Sequence, residues 1–224
     1  MGRPAVFLDR DGTMVQEVDY LREISQLRLL RGTAAAIRRL NEAGFAVVLA
    51  TNQSGIARGL LTESELQTIH DELKRRLALQ GARLDAIYHC PHHPEAAVAA
   101  YRKRCRCRKP APGLLLQAAR DLDLDLRRSY AVGDSARDVE AGARAGCRTI
   151  LVRTGYGART EAGWQFGTAN ALPQPKQEML REMARVARLA DQGLAMLDAE
   201  VVVDNLPAAV DWILSRKKRR ARSR

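Results

Sequence analysis

A chain of 224 residues with 46% hydrophobic composition holds enough material for one generous globular unit with some decoration. No run approaches the roughly 18 consecutive apolar residues that a membrane span needs, and the first apolar run is too short for a secretory signal, so the expected location is the cytoplasm. The formal net charge of +11 invites a nucleic-acid partner, yet seven Lys/Arg crowd into RKKRRARSR at 216–224 and leave +4 for residues 1–215. A like-charge run of this kind repels itself and is expected as a disordered, solvated tail, which argues against nucleic acid.

Taken in chain order, short apolar runs alternate with amphipathic stretches. Strands are expected at AVFL (5–8), FAVVLA (45–50), AIYH (86–89), YAV (130–132), TILV (149–152) and EVVV (200–203). They are almost wholly apolar, as strands covered on both faces are. A helix from Thr33 stops at Gly44, a residue suited to the left-handed position after a helix. The next helix opens with Thr62 and Glu65 at capping-box spacing, with Leu66, Ile69, Leu73 and Leu77 along one face. Further helices are expected at PGLLLQAARDLDL, SARDVEAGARAG and LPAAVDWIL, the last with Pro207 in its first turn. This is the pattern of βαβ units about a central, mostly parallel sheet flanked by helices.

Two segments break the rhythm. Residues 89–111 hold three of the four cysteines and three of the four histidines. Residues 156–199 exceed an ordinary βα connection. They are expected as a Gly/Pro-punctuated loop followed by a helix around 176–197 carrying Met179, Met183, Val186 and Ala190 on one stripe. The expected organisation is therefore a single domain over 1–215, with a metal loop at 89–109, a helical insertion at about 156–199 and the tail at 216–224.

Chemistry gathers where the strands end. Asp9 and Asp11 follow the first strand, and open α/β sheets bind ligands outside that carboxyl edge. Alone, the pair could be an Asx turn with Gly12. The second strand, however, runs into TNQSG with the Thr51 hydroxyl, and the fourth runs into GDSARD with Asp134 and Asp138. Arg108 and Lys109 precede PAPG. Carboxylates, a hydroxyl and a lysine on one edge suit a phosphate and Mg²⁺, a hard cation that prefers oxygen ligands. In the intervening loop, Cys90 and His92, then Cys105 and Cys107, make two tight pairs twelve residues apart. Three thiolates and one imidazole suit a closed tetrahedral Zn²⁺ site; reduced surface cysteines or a disulfide are the alternatives.

The ordered set DRDGT (9–13), TNQSG (51–55), Lys109 and GDSARD (133–138) resembles the haloacid dehalogenase (HAD) superfamily of phosphotransferases. Within it, CPHHPE and CRCRKPAPG look like the heptose bisphosphate phosphatase branch. The resemblance implies a Rossmann-like HAD core without a large cap domain. It further implies a Mg²⁺-dependent phosphatase acting on the 7-phosphate of D-glycero-D-manno-heptose 1,7-bisphosphate, in nucleotide-activated heptose biosynthesis; a monomer is expected. By the same resemblance Asp9 is the nucleophile, passing through an aspartyl-phosphate, and Asp11 the acid/base. Mg²⁺ is held by Asp9, Asp134 and the backbone carbonyl of Asp11. Zinc is held by Cys90, His92, Cys105 and Cys107, leaving His93 aside. Thr51, Arg108 and Lys109 stabilise the phosphoryl group, while Asp19, Tyr20, Asn52, Gln53 and Ser54 contact substrate. Arg58 is a weaker candidate, Asp138 is left without a specific role, and His70 and His89 have none; Cys147 is expected in the core. Alternatives are a histidinol-phosphate phosphatase, which shares the motifs, a polynucleotide 3′-phosphatase, or, in another class, a zinc-stabilised nucleic-acid module using the basic tail.

Overall fold

The computed structural model describes residues 2–166 and 199–222. Within them the apolar runs form β1 (Ala5–Leu8), β2 (Ala46–Asn52), β3 (Ala86–Cys90), β4 (Tyr130–Gly133), β5 (Arg148–Val152) and β6 (Val201–Val203). The helices are α1 (Thr33–Glu42), α2 (Glu63–Ala78), α3 (Gly113–Asp121), α4 (Ala136–Arg144), α5 (Gly157–Phe166) and α6 (Leu206–Arg222). All six strands are parallel, in the spatial order β3-β2-β1-β4-β5-β6.

Strand alternation divides the core in two. Val6 and Leu8 of β1 join Val47 and Leu49 of β2 in a cluster with Ile37, Leu40, Leu66, Leu73 and Ile213 from α1, α2 and α6. Ala5, Phe7, Ala46 and Val48 face the opposite way, onto Leu114, Leu115 and Ala118 of α3. Burial on both faces is what the nearly continuous apolar runs require. The capping box at Thr62 and Glu65 forms, with Glu65 N donating to Thr62 Oγ1 at 3.2 Å and Thr62 N to Glu65 Oε2 at 2.7 Å.

The strand order decides where the site lies. The chain leaves β1 towards β2 and β3, then returns to build β4 on the other side of β1. That reversal opens a crevice between the carboxyl ends of β1 and β4, the place where open α/β sheets bind ligands. Leu8 pairs with Val132, and Asp9 N donates to Val132 O at 3.1 Å, so the loops leaving both strands start at one level.

Two expectations change. The stretch from 156 is not all loop, because α5 occupies Gly157–Phe166. Gly163 carries a cost of about 1 kcal/mol in a helix interior. Against it, Arg153 forks onto Glu161 at 2.7 and 2.8 Å, and Thr160 Oγ1 donates to Asp134 O at 3.1 Å. The tail does not begin as coil either: α6 runs through to Arg222. Arg216 lies over the Trp212 ring at 4.3 Å and pairs with Glu200 at 2.9 Å, while Lys217 donates to Ala43 O and covers the Phe45 ring at 5.3 Å. Aromatic faces and carbonyls draw these two cations onto the domain. The expected helix around 176–197, with its Met179, Met183, Val186 and Ala190 stripe, lies outside the described residues, as does the far end of the tail.

Candidate active site

Asp9 leaves β1 directly into the crevice. Asp134 follows β4, and Asp138 sits in the first turn of α4, where its carboxylate accepts from Ser135 N at 3.0 Å and Ser135 Oγ at 2.5 Å. The three offer carboxylate oxygens within 4.8 Å of one another. Lys109, 4% exposed, places its ammonium among them, 2.9 Å from Asp9 Oδ1 and 2.5 Å from Asp138 Oδ1, and donates to Ala50 O at 2.8 Å. Asn52 fixes this lysine from behind. Its Oδ1 accepts from Lys109 N at 3.0 Å and its Nδ2 donates to Lys109 O at 3.1 Å.

The electrostatics follow from burial. Desolvation, reinforced by Asp138 and Asp9, pushes the Asp134 carboxyl well above the ordinary range against the Tyr156 N–H that donates to it. Burial also raises Asp9, with Lys109 opposing. At Asp138 burial is outweighed by Lys109 and Ser135, so its carboxyl falls below the usual value. The lysine is itself held charged: burial disfavours the ammonium, but Asp138 and Asp9 more than compensate. With all three carboxyls ionised, one ammonium would leave two negative charges uncompensated in a buried site, which is why burial resists their ionisation. That deficit, with hard oxygen donors, fits Mg²⁺. The cradle is tight: a Cβ at Gly12, which adopts φ +75, or at Gly155, φ +57, would collide with the Asp134 carboxylate.

Asp11 lies apart from the trio. Arg10, 1% exposed, donates from Nε to Asp11 Oδ1 and from Nη2 to Asp11 Oδ2, both at 2.9 Å. Gln53 Nε2 donates to the same Oδ2 at 2.9 Å and to Thr51 Oγ1 at 3.1 Å, and its Oε1 accepts from Arg10 at 2.8 Å. Asn52 and Gln53, expected as substrate contacts, thus spend their amides on Lys109, Asp11, Arg10 and Thr51. Ser54 is buried, as is Gln53. Thr51, also buried, stands at the end of β2 beside the Lys109 anchor on Ala50.

At the mouth, Asp19 adopts a left-handed φ of 70, rare for a residue with a side chain and secured by its N–H donating to Glu17 Oε1 at 2.5 Å. Tyr156 Oη reaches Asp19 Oδ1 at 3.4 Å while Tyr156 N donates to Asp134 Oδ2 at 2.8 Å, so one residue touches both rim and carboxylate trio. Arg58 lies over the Tyr20 ring at 5.8 Å. Arg108 Nη1 donates to His92 O at 3.3 Å, tying it to the cysteine loop.

That loop closes as expected. Cys90, His92, Cys105 and Cys107 converge, with Cys107 Sγ 3.2 Å from Cys90 Sγ and 3.3 Å from both Cys105 Sγ and His92 Nδ1, and Cys90 Sγ 3.6 Å from Cys105 Sγ. All four cysteines are free thiols. A tetrahedron of sulfurs about 2.3 Å from zinc has edges of about 3.7 Å, close to these separations. The hydrogen bond shared by Cys107 and Cys90 draws the Cys107 thiol down to about 5 and raises Cys90 in return. His93 serves the loop, accepting from Glu95 N at 3.1 Å, and His89 pairs with Glu63 at 2.8 Å. Cys147 is buried in the smaller core cluster.

Sequence reasoning passed over Arg10, Tyr156 and the anchoring role of Asn52. A signal existed for Arg10: Val6 and Leu8 face one core cluster, and alternation carries position 10 to the same side. For Tyr156 there was none, since it meets Asp134 and Asp19 only through the fold.

Comparisons with known proteins show the family. A family model described as "HAD-hyrolase-like" matches residues 106–178. A D-glycero-beta-D-manno-heptose-1,7-bisphosphate 7-phosphatase from Yersinia pestis is 45% identical over 76% of this chain and 94% of its own length. The enzyme of that name from Escherichia coli (strain K12) is 44% identical over 76% of this chain and 92% of its own length. Among solved structures, a D,D-heptose 1,7-bisphosphate phosphatase from B. bronchiseptica, complexed with magnesium and phosphate, superposes with TM-score 0.73 at 38% identity over 95% of this chain and 99% of that one. The corresponding protein from Burkholderia thailandensis gives TM-score 0.60 at 31% identity, again over 95% and 99%. The chain is a phosphoric monoester hydrolase of the HAD superfamily and belongs to the D-glycero-D-manno-heptose-1,7-bisphosphate 7-phosphatase family.

Proposed function

We propose that this phosphatase removes the 7-phosphate of D-glycero-D-manno-heptose 1,7-bisphosphate through an aspartyl-phosphate on Asp9, within the making of nucleotide-activated heptose. The observation that carries the chemistry is the buried Asp9–Lys109–Asp138 pairing beside Asp134 at the switch in strand order. The sugar is supported by relatives and a solved structure named for it.

Asp9 and Asp134, with the backbone carbonyl of Asp11, would hold Mg²⁺, and Asp138 lies close enough to join them. When bound, the ion supplies charge neutralisation for a phosphate dianion that otherwise repels a carboxylate. This chain's residues do the rest. Lys109 is locked by Asn52 and Ala50 where a phosphoryl oxygen would sit beside Asp9. The Asp9 carboxylate attacks phosphorus, and the bond from phosphorus to the sugar oxygen breaks. Asp11 gives that oxygen a proton and later takes one from the water that attacks the acyl phosphate. The Thr51 hydroxyl and neighbouring amides hold phosphoryl oxygens. Asp19, Tyr20 and Arg108 face the sugar end. Zinc on Cys90, His92, Cys105 and Cys107 would fix a loop rich in charge just before Arg108 and Lys109.

Among the described residues no helix is long and apolar enough to cross a membrane. With four free thiols, we place the enzyme in the cytoplasm, as a monomer acting on a small sugar bisphosphate. The test is phosphate release across a panel holding both anomers of the heptose bisphosphate and histidinol phosphate. Strong preference for a heptose anomer is expected, whereas equal, feeble turnover of the whole panel would sink the substrate assignment.

A further inference from the structure

We propose that His70 is a positioning residue for the acid/base Asp11, acting through the buried guanidinium of Arg10. The inference rests on the aspartyl-phosphate reading above and adds a residue on α2 that touches neither substrate nor metal ligand.

The argument starts from what a buried guanidinium needs. Arg10 is 1% exposed and carries five N–H donors in a rigid fork, each of which must find an acceptor once water is gone. Asp11 takes two of them in the bidentate arrangement that fixes the plane of a carboxylate. Gln53 Oε1 takes another from Nη2. The far nitrogen, Nη1, faces His70 Nε2 at 3.4 Å. That imidazole meets the fork on the side away from its Asp11 edge.

His70 is built for this single task. It is 2% exposed, on the α2 face that also buries Leu66, Ile69 and Leu73. Burial first, then Arg10 and His89, pushes its titration down to about 3, so the ring is neutral. A guanidinium can only donate, so Nε2 accepts and the ring proton resides on Nδ1. The His89 ring packs edge-on against it at 5.8 Å, and His89 is in turn held by Glu63 at 2.8 Å. The chain of contacts therefore runs from α2 through Arg10 to the carboxyl that must meet the leaving group.

Placement of that carboxyl matters most in the first half-reaction. As the Asp9 oxygen bonds to phosphorus, the phosphorus–oxygen bond to the sugar breaks, its electron pair stays on oxygen, and the Asp11 proton transfers to that oxygen. An alkoxide leaves poorly without the proton; 4-nitrophenolate leaves without it. The ratio kcat/KM reports the steps up to alcohol release only. A mispositioned Asp11 should therefore lower kcat/KM on the sugar bisphosphate and spare 4-nitrophenyl phosphate, a contrast that loss of packing alone would not produce.

The experiment compares His70→Leu, similar in volume without an acceptor, with His70→Gln, whose carboxamide oxygen can stand near the Nε2 position. Expected for His70→Leu is a loss of about 10-fold or more in kcat/KM on the heptose bisphosphate and at most about 3-fold on 4-nitrophenyl phosphate, with His70→Gln recovering most of the difference. Arg10→Lys, which keeps the charge and loses the fork, should show the same contrast and serves if His70→Leu does not fold. Equal losses on the two substrates, or a Gln variant no better than Leu, would overturn the inference while leaving the phosphatase reading intact. A wild-type protein inactive on both substrates would overturn both.

Discussion

At the scale of the residue, two aspartates two positions apart face different partners. Asp9 shares Lys109 with Asp138, whereas both oxygens of Asp11 are held by Arg10 and Gln53. Asp9→Asn should therefore keep the fold and lower phosphate release by about 10⁴-fold or more, measured as kcat with Tm as the control. Lys109→Met leaves buried carboxylates without their cation and should cost about 3–5 kcal/mol in metal-free urea unfolding, with a smaller loss once Mg²⁺ is added. His70 has a depressed folded-state value, about 3, against an ordinary 6.5. A neutral folded His contributes stability above 6.5 that is lost as pH falls from there towards 3, because the unfolded chain takes the proton first. His70→Gln should flatten the acid side of the stability–pH curve by up to about 1.4 kcal/mol per pH unit in that window, read from urea midpoints between pH 4 and 6.5.

At the scale of the element, the cysteine loop ties the four converging Cys and His side chains to the basic pair, because Lys109 lies two residues beyond Cys107. Chelating zinc, or Cys105→Ser, should lower Tm and kcat together, with activity returning on added Zn²⁺ and not on added Mg²⁺; phosphate release alongside metal content measures this. Unchanged activity in a zinc-free protein would separate the loop from the chemistry. Elements are also where local reading went astray. Gly155, Gly157 and Gly163 mark the start of the long connection as loop, yet Arg153, Glu161 and Asp134 supply distant partners that make Gly157–Phe166 a helix. Charge repulsion marks position 216 as the start of a free tail, yet Trp212 and Phe45 give Arg216 and Lys217 aromatic faces to cover.

For the whole molecule, the site exists because β4 returns to the side of β1 that β2 left open. Carboxylates from loops more than a hundred residues apart are then forced together, and a divalent cation should bind the folded protein alone. Saturating Mg²⁺ at about 100 times its Kd should add about 2.7 kcal/mol and raise Tm accordingly. Asp134→Asn, which keeps an acceptor for Tyr156 N and removes the charge, should abolish most of that gain. A Tm indifferent to Mg²⁺ in the wild type would contradict the metal trio.

The sequence by itself determined the alternating architecture and the chemical inventory: Asp9, Asp11, Thr51 and Asp134 at strand ends, Lys109 ahead of a helix, and the cysteine–histidine quartet. These follow from local periodicity, from turn residues and from short motifs whose donors lie close along the chain. Only the tertiary structure decided how that inventory is shared out. It turned Asn52 onto Lys109 and Gln53 onto Asp11, brought Tyr156 to Asp134, set Asp138 against Lys109 and buried Arg10 against His70. Those pairings join residues up to 137 positions apart, as between Asp19 and Tyr156. They answer to burial, where every desolvated donor and charge must find a partner wherever the fold supplies one.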